Sequence, residues 1–252
     1  MKANKINKMI NKTFGKILIL ILITFFSLSC QKWSYKKQYQ WNKNYSTCST
    51  PFQSPIDIKT DNVKKDSLLS PLFIDYSNCD TFTIKRKRNL LYISNLKGTI
   101  TAPDTALWGH EYYLSQIIIH TPSEHSVNGK KYPAELQFIN IDTSGQLLAI
   151  AVFVDYGQEN SDFSLILNNF PNKESQIGVD KQLNIGLLLP LSAQYWHYIG
   201  TLTFPPCHNN IQWYVIKSPI HASKAQIDSL SYILGKNTRN IQPLNGRKIT
   251  EF

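Results

Sequence analysis

Between residues 115 and 141 the sequence reads SQIIIHTPSEHSVNGKKYPAELQFINI. Two apolar, β-branched segments are threaded there by Gln116, His120, Glu135 and Gln137. An imidazole, a carboxylate and two amides are the groups of a metal centre or of proton transfer. Buried without partners, each would cost free energy. Alternate residues of a strand share a face, so Gln116, Ile118 and His120 fall on one side of the first segment. Glu135, Gln137 and Ile139 fall together on the second. Asn128-Gly129 between them is a strong hairpin-turn signal. A simple two-residue turn would set His120 across from Gln137, although Pro122 and the polar TPSEHS stretch argue against an unbroken ladder. A polar patch shared by adjacent strands is what a metal or catalytic site in a sheet looks like.

The elements that must position this patch read as β-rich. Short apolar or alternating runs recur as FTI, LLYIS, YYLSQIIIH, AELQFINI, LLAIAVFV, IGTLTF and IQWYVI, separated by turn residues. Two helical patterns interrupt them. One is SDFSLILNNF at 161–170; the other opens on Ser223 as N-cap, aligns Ile227, Leu230 and Leu234 on one face, and stops at Gly235. Both read as packing helices. There is no internal repeat, and the expectation is one β-rich α+β domain.

The chain has 252 residues and starts with five lysines and no acid in residues 1–16. The apolar run ILILILITFFSL follows, then Ser29 and Cys30. These are the parts of an export signal over residues 1–29. The run falls short of the roughly 20 residues that span a bilayer, which disfavours the alternative of a retained anchor. FFSLSC also resembles the box before the acylated cysteine of a bacterial lipoprotein, so Cys30 is expected to carry lipid, with residues 30–40 as a polar tether and 41–252 as the domain. Localisation follows: exported and membrane-anchored, periplasmic or at the cell surface. Without residues 1–29 the chain keeps 22 basic and 17 acidic residues, a net charge of +5. That suits weak attraction to anionic surfaces and does not argue for a nucleic-acid partner. The one dense basic cluster, KRKR at 85–88, reads as a solvated strand edge or, less simply, an acidic-glycan site. In an oxidising compartment Cys48, Cys79 and Cys207 should give one pair and one leftover thiol, with the pairing open.

Taken in order, these segments resemble the α-class carbonic anhydrases. QSPIDI at 53–58 resembles the N-terminal signature, and QIIIHTPSEHSVNGKKYPAEL the zinc-strand segment. LLAIAVFV resembles a core strand, and YWHYIGTLTFPPC at 195–207 the active-site loop; IQWYVIKSPI and NIQPLNGRKI continue the series. The resemblance covers residues 41–249 and implies a large, mostly antiparallel twisted central sheet with peripheral helices. It also implies a Cys48–Cys207 disulfide, leaving Cys79 as a buried free thiol.

The family holds zinc with three imidazoles, two at i and i+2 on one strand and one on its neighbour. Three neutral nitrogens plus water form a tetrahedral site that lowers the water's pKa to about 7. Carried over, those places are Ile118, His120 and Gln137, and only His120 is still a histidine. No other histidine pair has that spacing on a strand, and no histidine before His110 matches the usual proton shuttle. What the resemblance retains is the surround. Gln116 and Glu135 match groups that orient the zinc histidines. Glu124 and Thr203 match the pair that orients the zinc-bound hydroxide, and His125 a structural hydrogen-bonding position. Ile139, Leu202 and Trp213 match walls of the CO2 pocket, while Phe204 replaces a small polar residue and would crowd its mouth. The expectation is therefore a vacated zinc site, with Ile118 filling the volume and Gln137 hydrogen-bonding His120. No metal cofactor is expected. The protein reads as a binding or scaffold module with a protein or anionic-glycan partner; the alternative is a working carbonic anhydrase that converts CO2 to bicarbonate with a rebuilt zinc site.

Overall fold

The computed structural model describes residues 33–102, 110–192 and 194–252. The signal segment and Cys30 lie outside the described residues. The strands are β1 (Asp57–Ile58), β2 (Lys64–Lys65), β3 (Phe73–Asp75), β4 (Phe82–Lys87), β5 (Leu90–Ser94), β6 (Thr99–Thr101) and β7 (Glu111–His120). They continue as β8 (Ser126–Val127), β9 (Ala134–Ile141), β10 (Leu147–Tyr156), β11 (Ser175–Val179), β12 (Tyr195–Gly200), β13 (Ile211–Ala222) and β14 (Thr250–Glu251). Twelve of them form one sheet whose main path runs β11-β4-β5-β7-β9-β10-β13-β12-β14-β2. Its pairs are antiparallel except β10 with β13 and β14 with β2. The α-helices are α1 (Trp41–Asn44), α2 (Ser161–Asn168) and α3 (Lys224–Leu234). This is the sheet-dominated architecture expected.

Both faces of the central strands are covered, so their sequences read as nearly continuous apolar runs. One face presents Ile117, Ile119, Leu136, Phe138, Ile150 and Tyr214 to a core that includes Phe163 of α2 and Ile227, Leu230 and Leu234 of α3. The other presents Ile118, Ile139, Phe153 and Trp213 to the N-terminal aromatics and the disulfide-bearing loop. Asn160 caps α2 by accepting from the backbone of Asp162 and Phe163. Ser223 and Gln226 form a reciprocal capping box on α3, which ends at Gly235 as its sequence requires. The pattern at 161–170 overran by two residues, because Asn169 leaves helical geometry.

Three expectations need correction. Asn128 and Gly129 do make a tight positive-φ turn, but it closes only Val127 against Lys130. The β7–β9 register pairs Ile118 with Gln137 and His120 with Glu135, two residues away from the simple hairpin. An even shift leaves every side chain on its expected face. The run IGTLTF is strand only through Gly200; Thr201 onward leaves the sheet for the loop that Cys207 anchors. Of the tether expected over residues 30–40, the described part, 33–40, is folded. Tyr35–Gln40 is a 3-10 helix, and Trp33 and Tyr35 are buried. The aromatic spacing of Trp33, Tyr35 and Trp41 was the available signal: the three rings meet edge to face, with centroids 5.3 to 5.6 Å apart.

Candidate functional site

The polar row sits where β7 and β9 run side by side, continued by the turn after His120 and closed from above by the loop after β12. His120, Glu124, His125, Glu135, Gln137 and Thr203 are all 0% exposed. Glu135 is the hub. One carboxylate oxygen accepts from the His125 backbone N–H at 2.8 Å; the other accepts from His125 Nδ1 at 2.8 Å and Gln137 Nε2 at 2.9 Å. Burial pushes this carboxyl up. The His125 charge, with the bonds from His125 and Gln137, more than offsets that and brings the pKa down to about 2. The other ring nitrogen of His125 lies 2.6 Å from the Tyr198 hydroxyl, itself 2.9 Å from Ser54 Oγ. Ser54 Oγ accepts from the Thr201 backbone N–H. Burial raises the Tyr198 phenol well above its ordinary value.

Glu124 is held as tightly. Its Oε1 accepts from the Arg239 backbone N–H at 2.7 Å and its Oε2 from Gln137 Nε2 at 2.9 Å. Gln137 thus spends both amide hydrogens on Glu124 and Glu135, and its oxygen accepts from Thr203 Oγ1 at 3.3 Å. This corrects the expected Gln137–His120 bond: the amide stands between Glu124 and Thr203 instead. His120 Nδ1 lies 2.8 Å from the Asn237 carbonyl, which can only accept, so Nδ1 carries the proton. His120 Nε2 is 3.4 Å from Glu124 Oε2 and has no hydrogen-bond partner among the described residues.

Ile118 is fully buried among Ile139, Leu202, Phe204 and Trp213. Gln116 stands at the half-buried end of the row, opposite Ile139 and Ser94. Phe204 stacks on Trp33 at 6.3 Å and meets Tyr92 edge-on at 6.4 Å, so aromatic rings from three segments meet over the loop. Trp213 anchors that loop by donating to the Thr201 carbonyl. Cys48 and Cys207 form a disulfide, and Cys79 is buried and free.

Asn237 and Arg239 escaped the sequence reading. The Asn237 side chain accepts from the Thr121 N–H and donates to the Asn89 and Ile119 carbonyls, locking β7 to the segment after α3. Arg239 reaches Gln53 Oε1 and the Ser54 and Cys48 carbonyls, with its guanidinium over Trp41. Burial lowers it to about 10. Their partners lie more than 100 residues away in sequence, so no local pattern marks either one.

The donor set can be weighed against zinc. Of the three side chains at the expected ligand places, one has a nitrogen lone pair to give, one is hydrocarbon, and one is an amide already fully hydrogen-bonded. Among the described residues no group of three His, Cys, Asp or Glu side chains could hold a metal ion. His125 cannot be recruited without breaking its bonds to Glu135 and Tyr198. The residues present do not fit a tetrahedral zinc site.

Sheet, loop and buried row together define an α-carbonic-anhydrase type of domain, and comparison with known proteins agrees. A family model for eukaryotic-type carbonic anhydrase matches residues 36–252. A carbonic anhydrase from Klebsiella pneumoniae is 31% identical, over 95% of this chain and 99% of its own length. The alpha-carbonic anhydrase of Photobacterium profundum superposes with a TM-score of 0.80 at 32% identity, covering 87% of this chain and all of that one. The enzyme from Thermovibrio ammonificans gives 0.81 at 30% identity, covering 87% and 98%. The chain belongs to the eukaryotic-type carbonic anhydrase family.

Proposed function

We propose that this chain is a non-catalytic carbonic-anhydrase-like protein, exported and held at a membrane by lipid on Cys30, that serves as a binding or scaffold module. The observation that carries the reading is the occupation of the ligand places. Ile118 fills one with hydrocarbon, and the Gln137 amide fills another while bonding Glu124, Glu135 and Thr203. A catalytic site must leave its reacting groups reachable; here the glutamate and threonine expected to steer a hydroxide bond an amide and are sealed from solvent. The surround persists for a physical reason. Removing one member would strand a buried partner at about 1–3 kcal/mol, so a lost metal site is retained as polar core. The partner is a protein or an acidic glycan, and no nucleic acid is involved.

Metal content and a CO2-hydration assay on the exported chain test the catalytic part. Substoichiometric zinc and background hydration are expected; stoichiometric zinc with hydration would establish the competing reading of a rebuilt centre. The double substitution Ile118→His with Gln137→His should restore zinc binding, because Glu135, Glu124, Thr203 and Asn237 already stand around it. A folded double variant that stays metal-free would overturn the vacated-site account. Cys30→Ser should release the protein from the membrane fraction, and unchanged partitioning would remove the lipid anchor.

A further inference from the structure

Away from the buried row, a cavity of about 870 Å3 opens between the N-terminal 3-10 helix, the β4–β5 turn and the segment after α3. That lies in the range of small-molecule sites. Among the described residues its lining combines the aromatic rings of Trp33 and Tyr39 with three cations, Lys36, Arg88 and Lys236, and one acid, Glu174. Tyr39 is 72% exposed, an aromatic face available to a ligand.

The walls are cross-linked before any ligand arrives. Gln38 donates to the Thr238 carbonyl and accepts from the Asn240 N–H, tying the 3-10 helix to the segment after α3. Asn237 donates to the Asn89 carbonyl, tying that segment to the turn. Glu174 accepts from the Arg88 backbone N–H at 2.8 Å, fixing the turn at the rim. The turn itself is unusual: Arg88 and Asn89 both have positive φ, +52° and +65°. Such a hairpin turn ordinarily uses Asn-Gly, and an arginine there costs about 1 kcal/mol. The strained backbone directs the guanidinium over the Trp33 ring, 5.5 Å from its centroid, at the cavity wall.

We propose that this cavity binds an acidic saccharide, with the anionic group held between Lys36 and Lys236 and a sugar ring lying on Tyr39. An excess of cations selects a carboxylated or sulfated ligand. An exposed aromatic face and surrounding amides suit the apolar C–H face and hydroxyls of a sugar, and a preformed wall lowers the ordering cost. The inference rests on the binding-module reading only in supplying its ligand. Zinc and hydration assays test catalysis, and saccharide titration tests the cavity, so the two can fail separately.

The test is calorimetric titration of the mature chain, with tryptophan fluorescence as a second readout. Three hexasaccharides are compared: a heparin-type sulfated one, an oligogalacturonate and neutral maltohexaose. Saturable binding of an acidic oligosaccharide without binding of the neutral one supports the proposal, and the preferred acid assigns sulfate or carboxylate. Lys36→Ala with Lys236→Ala should weaken binding about tenfold and reduce its salt dependence. Lys85→Ala with Lys87→Ala, off the cavity, should leave binding unchanged. No binding of either acid at millimolar concentration overturns the site. So does equal binding of the neutral sugar, or an equal loss in the Lys85/Lys87 variant, which would reduce the effect to net charge.

Discussion

The two faces of β7 and β9 are equally buried and built by opposite means. On one, Ile117, Ile119, Leu136 and Phe138 pack against the α2–α3 side as hydrocarbon. On the other, His120, Glu135 and Gln137 are sealed to the same degree and held by hydrogen bonds reaching Glu124, His125, Thr203 and Asn237. The apolar face is non-directional, so each lost group costs its own burial and cavity without stranding a partner. The polar face is a hydrogen-bonded network around Glu135 and Gln137, and its members depend on one another. Ile118 and Ile139 are hydrocarbon on the polar face, and Ile118 occupies a place where the sequence resemblance led one to expect a metal ligand.

The comparison can be broken most sharply at its hub. Glu135→Ala strands the His125 backbone N–H, the His125 Nδ1 and one shared Gln137 amide contact, with an expected loss of about 3–5 kcal/mol in urea unfolding. A loss below about 1 kcal/mol would mean that water replaces the carboxylate easily and that the members of the face do not depend on one another. Next in size, Leu136→Ala, one residue along and facing the other way, should cost about 2–4 kcal/mol through its cavity. That cost should not change between pH 7 and pH 3. The Glu135 contribution should. Its carboxyl sits at about 2 when folded and 4.5 when unfolded, so its stabilisation is fully present above pH 4.5 and is lost as pH falls towards 2. Glu135→Gln should flatten the wild-type acid slope in that window, and an unchanged slope would assign it to other carboxyls. Gln137→Leu should cost about 1–3 kcal/mol by removing donors from Glu124 and Glu135. Ile118→Val, the smallest change, should cost about 1 kcal/mol and behave like the hydrocarbon face.

Much of this contrast was legible in the sequence. Period-two alternation put Gln116, Ile118 and His120 on one face, and Glu135, Gln137 and Ile139 on another. Those assignments survived the register error because the shift was two residues rather than one. Ser223, the Ile227/Leu230/Leu234 stripe and Gly235 marked α3 correctly, since caps and helical periodicity act within one turn. Less local features were misread or missed. Trp33 and Tyr35 were read as tether because the surrounding lysines and glutamines dominate the composition; their burial needs Phe204 and Trp41, distant or in the next element. Gln137 was expected to turn to His120, but two carboxylates compete for the same two amide hydrogens and win.

By itself the sequence determined the side-chain chemistry at each place and the faces those places share. Isoleucine has no lone pair in any fold, and strand periodicity follows from backbone geometry alone. Only the tertiary structure decided which partner each buried group takes. Hydrogen-bond choice depends on distances of a few tenths of an ångström between segments separated by up to 202 residues in sequence. The cavity walled by Arg88, Lys36 and Lys236 belongs to that second kind, because its three sides come from three separate parts of the chain.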